Sequence, residues 1–141
     1  MSTAAAAPAV PASKGLHIAL WIVQVLLGLA FLGAGVMKST TPIADLATRM
    51  SWVPLMGEAM TRFIGVSELL GGIGLILPAA TRIQPKLTGI AGAALAFVMV
   101  LAAGTHVYLG EFGAIGVNVV LGGLAGFVAW GRLVKAPIQA R

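Results

Sequence analysis

Four stretches of this chain, residues 16–37, 63–77, 87–108 and 115–130, contain a single formally charged side chain between them, Glu68. Each approaches the ~20 helical residues that cross the ~30 Å hydrocarbon core of a bilayer, once tilt and end anchors are allowed. A soluble domain carries roughly a quarter charged residues. Here the share is 9%, too little to cover a surface facing water. The expected fold class is all-α, a transmembrane four-helix bundle, because helices satisfy their backbone hydrogen bonds internally where lipid cannot.

The rest of the chain is read around those spans. Residues 1–13 are Ala-, Pro- and Ser-rich and cannot bury enough apolar surface to offset ordering, so a disordered tail is expected, followed by a transmembrane domain over 14–135 and a C-terminal tail at 136–141. A cleaved signal peptide competes for the N-terminus, but 16–37 is longer than the roughly 7 to 15 residues of its hydrophobic region. Pro78 is expected to end the second span and Pro85 to open the third, leaving a tight turn between them. Between the first two spans, Thr41 as N-cap and Pro42 at the first helical position, with Ile43, Leu46, Ala47 and Met50 on one side, predict a short interfacial helix in the first outer loop.

Lys14, Arg82, Lys86, Arg132, Lys135 and Arg141 fall at one end of the spans with no acidic residue among them. Lys38, Arg49 and Arg62 fall at the other, set against Asp45, Glu58 and Glu111. The positive-inside rule then places both termini in the cytoplasm. Basic residues scattered at span ends, instead of forming a stripe, exclude a nucleic-acid surface despite the net charge of +5.

The polar residues inside the spans lie on small-residue faces, where membrane helices pack. Gln24 shares a face with Gly28, Phe31, Gly35 and Lys38; Glu68 with Gly71, Gly72 and Leu75; His106 with Ala102, Ala103 and Met99; Asn118 with Gly122, Ala125 and Gly126. Lys38, Glu68, His106 and Asn118, one from each span, thus converge on the outer half as a candidate polar cluster or ligand-binding site. Glu68 is the candidate catalytic residue, because a carboxyl at depth is costly and marks a paired or functional position. Structural readings stand beside these: Glu68 as an interhelical hydrogen bond, His106 as an interfacial histidine, Asn118 as packing glue, and Lys38 as a snorkelling anchor. Glu68 is expected to bond His106 first and Lys38 second, while Arg62 snorkels outward. Gln24, alone on the inner half, is read as a packing hydrogen bond. Gly122 and Gly126 are both expected against another helix.

Absent cysteines exclude disulfides, iron–sulfur clusters and covalent haem. His17 and His106 sit at opposite ends, which argues against bis-histidine haem, and no metal site is expected. Gly71-Gly72-Ile73-Gly74 lies in an apolar span and is helix packing, not a phosphate loop.

Gly35-Val36-Met37-Lys38 closing the first span, and Gly65-Val66-Ser67-Glu68-Leu69-Leu70-Gly71-Gly72 running to Leu75-Ile76-Leu77-Pro78, resemble the DoxX-like family of small bacterial membrane proteins. The resemblance covers about residues 16–130. It implies a four-helix fold, with polar groups at Lys38, Glu68 and His106. The family takes its name from a subunit of a thiosulfate:quinone oxidoreductase, and most members have no assigned activity. Three readings follow: a quinone-associated redox subunit without its own redox centre, in which Glu68 relays a proton and His106 or Asn118 bonds a carbonyl; a non-catalytic scaffold or assembly subunit, packing on other membrane subunits or as a homo-oligomer; and a small transporter or proton path. An apolar cavity reaching Glu68 would favour the first or third, and a solid core the second.

Overall fold

The computed structural model describes residues 10–141, which contain helices and no strand. In chain order they form α1 (Lys14–Thr40), α2 (Ile43–Arg49), α3 (Val53–Thr81), α4 (Lys86–Leu109) and α5 (Phe112–Trp130), the last running into a π-helical turn at Gly131–Lys135. The four long helices are each long and apolar enough to cross a membrane, and α2 is the short helix between the first two spans. Of the expected N-terminal tail, residues 1–9 lie outside the described residues. Ser13 caps α1, its hydroxyl oxygen accepting from the Leu16 N–H at 3.1 Å. The C-terminal segment folds back on the α3–α4 turn, where Arg82 donates to the Gln139 carbonyl at 2.8 Å.

Two local expectations are corrected. Pro78 does not end its span: it lies inside α3, which continues to Thr81 and stops at Arg82 in the left-handed conformation, φ 59°. A proline near a helix end removes one hydrogen bond without preventing the last turn. Thr41 is not the N-cap of α2 but closes α1, its N–H donating to the Met37 carbonyl at 3.0 Å, and Pro42 takes the cap position without a side-chain bond. Ahead of its main rod α3 also breaks at Gly57, where φ 77° and ψ 171° demand a residue without a side chain.

The bundle is two tight helix pairs, α1 with α3 and α4 with α5, joined through α3 and α4; α1 and α5 touch far less. Glycines set the intimacy of the first pair. A Cβ on Gly35 would lie 2.6 Å from the Leu69 nitrogen and 2.7 Å from the Gly65 oxygen, so the two backbones are in direct contact. In the second pair the close approach is at Gly92, whose Cβ would lie 2.7 Å from the Ala125 oxygen. Gly122 does pack, since a Cβ there would lie 3.1 Å from the Met99 Cβ, but a Cβ on Gly126 would meet nothing within 4 Å. The contact line on α5 therefore steps by three and four residues, from Gly122 through Ala125 to Ala129, and leaves Gly126 beside it. Leu27, Phe31, Leu75, Leu95, Met99, Ala125 and Val128 form a continuous apolar core in the middle of the bundle.

A candidate ligand cavity with a buried ion pair

The close approach of α1 and α3 decides the chemistry at the α2 end of the bundle. A Cβ on Gly65 would lie 2.8 Å from the Cβ of Lys38, so the lysine stem is laid directly along α3 toward Glu68, one turn further on. Its Nζ reaches both carboxylate oxygens, at 2.6 and 2.9 Å, with Lys38 9% and Glu68 3% exposed. The expected snorkelling anchor has turned inward. The physical reason is that a carboxylate withdrawn from water needs a counter-charge, and an isolated buried charge is far costlier than a hydrogen-bonded pair.

His106, the partner expected first for Glu68, is engaged elsewhere. Its Nδ1 lies 2.8 Å from Oε2 of Glu111, five residues along the chain across the α4–α5 turn. The Ser51 hydroxyl donates to the other oxygen of Glu111. These bonds, Ser51 first and His106 second, hold the Glu111 carboxyl below the usual carboxylate range. A partner so close in sequence costs little chain entropy to reach, and Glu68 is already satisfied by Lys38. Arg62 likewise does not snorkel: it donates to the carbonyls of Lys38 and Thr41 at 2.8 and 2.7 Å and so caps α1, with Glu58 at 3.2 Å on its far side.

Between the two helix pairs lies a cavity of about 1030 Å³, and all four candidate residues, Lys38, Glu68, His106 and Asn118, line it. That is the upper end of the roughly 300–1,000 Å³ of small-molecule sites, which combine apolar walls with a few polar groups. Phe31, Met99 and Leu121 line its deep part, and Met50, Ser51 and Trp52, following α2, lie over it. Asn118 is 9% exposed and makes only a 3.4 Å bond to the Ala114 carbonyl, which leaves most of its carboxamide uncommitted. Lys38 uses two of its three ammonium donors on Glu68, so one remains. Among the described residues no three His, Cys, Asp or Glu side chains cluster as metal ligands.

Sequence reasoning missed a second cluster at the end that carries the termini. Gln24 is not alone: it donates to the Leu75 carbonyl at 2.9 Å and accepts from Nε of Arg132 at 2.6 Å. The Arg132 guanidinium also lies 3.1 Å from His17 Nδ1 and from the Ala136 carbonyl, and 5.6 Å from the Trp21 ring centroid. A signal was available, because Arg132 continues the inward row of Ala125 and Val128 at helical spacing. Ser51 and Glu111 were missed because each belongs to a loop, where no periodicity exists to read.

Four apolar spans, tight glycine-mediated helix pairs and an ion pair buried beside a cavity define a small polytopic membrane protein. The profile of the DoxX-like family matches residues 22–128, and the chain belongs to that family. No curated protein and no solved structure matches it.

Proposed function

We propose that this protein is a quinone-associated redox subunit, which binds the head group of a lipid-soluble quinone in the cavity beside Lys38 and Glu68. The observation that carries the reading is the cavity itself, apolar along most of its wall and reaching the buried ion pair. The free ammonium donor of Lys38 suits one ring oxygen, and the Asn118 carboxamide suits another acceptor. Reducing a quinone to a quinol takes two electrons and two protons. The electrons come from a partner subunit or a soluble reductant, since no cysteine is available to hold an iron–sulfur cluster or covalent haem, and Glu68 serves as the proton relay.

A through-membrane path is disfavoured by the core of Leu27, Phe31, Leu75, Leu95 and Val128, which lies between the two polar clusters. The assembly reading retains one supporting observation: Gly113, Gly116 and Gly123 of α5 meet nothing within 4 Å, a face on which another membrane helix could pack closely. On the charge distribution, both termini lie in the cytoplasm of a bacterial cell, the protein sits in the inner membrane, and the cavity occupies the outer leaflet.

The test is quinone binding by protein purified in mild detergent, followed by mass spectrometry of co-purified quinone and by titration. Wild type should bind. Glu68→Gln, which keeps an acceptor for Lys38, should retain the helical circular-dichroism spectrum while affinity falls by about tenfold or more, or about 1.4 kcal/mol. A wild-type protein that binds no quinone overturns the reading.

A further inference from the structure

We infer that the cavity is loaded sideways from the bilayer, through a gap between α1 and α5 framed by Ala30 and Ala34, and that its ligand leaves an apolar tail in that gap. The inference rests on the quinone reading of the cavity and adds the route of entry and the residues that select for a tail. Both ends are closed, and the two flanks differ. The apolar core seals the cavity from the end carrying the termini. Over the opposite end, the bond from Ser51 to Glu111 straps the α2–α3 connection to the α4–α5 turn, and His106 holds the same carboxylate. On the flank between α3 and α4 the lining is bulky, with Met60, Phe63 and Leu101, whose outer sides are exposed, and the two helices are in wide contact.

The other flank differs in kind. α1 and α5 are the neighbouring long helices with least contact, meeting toward the end that carries the termini through Leu20 against Gly131 and Gln24 against Arg132. Further along, the cavity is lined by Ala30 and Ala34 from α1 and by Ala114 and Val117 from α5. Three of these four are alanines, so the gap is left open by side-chain size. Ala34 lies one turn from Lys38 and Ala30 two turns, placing about 12 Å of small-residue wall between the ammonium and the inner edge of the gap. A head group held at Lys38 therefore sends its tail past Ala34 and Ala30 into lipid. A ligand without a tail has no use for the gap.

The experiment uses the full chain in lipid nanodiscs and two probes, a decyl-substituted benzoquinone and the same benzoquinone without the chain. Wild type should bind both, the decyl compound more tightly. Ala34→Trp should weaken the decyl probe by about tenfold and the tail-less probe by less than about threefold. Retained binding of the small probe also reports that the variant is folded, and Ala30→Trp, at an exposed position, gives a second route to the same answer. Phe63→Trp on the opposite flank should not separate the probes. Equal loss of both probes in Ala34→Trp and Ala30→Trp, no loss in either, or a separation produced by Phe63→Trp instead, overturns the side entry while leaving quinone binding intact. Failure of wild type to bind either probe overturns the quinone reading and this inference together.

Discussion

Two cations that charge counting assigns to the membrane surface, Lys38 and Arg132, are buried, and each is held by hydrogen bonds instead of by water. Arg132 is 2% exposed and depends on Gln24 for its Nε contact, while Gln24 also serves the Leu75 carbonyl. Removing one member of such a network strands the others, at about 1–3 kcal/mol for each group left unsatisfied. Gln24→Leu and Arg132→Met should each lower the unfolding midpoint in mild detergent. The double variant should lose less than the sum, because the partner of each removed group is gone too. Strict additivity would show that the two side chains act independently. Glu68 was legible in the sequence because no other formal charge lies in the apolar stretches. Its partner was not, since the choice between Lys38 and His106 depends on the rotation of α1 against α3, which Gly35 and Gly65 set by backbone contact.

Among the elements, the number, type and approximate extent of the helices follow from apolar length alone, whereas the packing face of each does not. Small residues occur all around α5, so the sequence offers several equivalent stripes, and only the crossing with α4 selects Gly122, Ala125 and Ala129 over Gly126. The same crossing makes glycines unequal. At Gly92 a methyl would strike the Ala125 oxygen and approach the Ala129 nitrogen at 3.0 Å, both backbone atoms that no rotamer can move. Gly92→Ala should cost about 1–3 kcal/mol through forced separation of α4 and α5. Gly123→Ala meets open space and should leave stability equal or slightly raised, since alanine is the better helix former by about 1 kcal/mol. Thermal melts of the two variants compare them directly, and equal melting points would place the α4–α5 contact elsewhere.

For the molecule as a whole, the two helix pairs meet closely at the end carrying the termini and part toward the other, so the cavity lies in one half of the membrane only. Which face that is follows from the proposed orientation and can be read by chemistry. Cysteines placed singly at Ala44 in α2 and Ala80 near the end of α3, both exposed, should react differently with an impermeant maleimide added to intact cells. Ala44→Cys should label and Ala80→Cys should not. The reverse pattern would invert the protein and move the cavity to the cytoplasmic leaflet.

The apolar core that closes the cavity has an electrical consequence. From Gln24 to Lys38 is fourteen residues of α1, about 21 Å, and α1 has no ionisable side chain between them. The same holds on α3 from Glu68 to Arg82, on α4 from Lys86 to His106, and on α5 from Glu111 to Arg132. Most of a transmembrane voltage would drop across that stretch, yet a voltage does work only on charge that moves within it. Lys38 and Glu68 lie at its edge as a neutral pair. Filling and emptying the cavity with a neutral ligand is therefore uncoupled from the membrane potential, and an energised and a de-energised membrane present it with the same equilibrium.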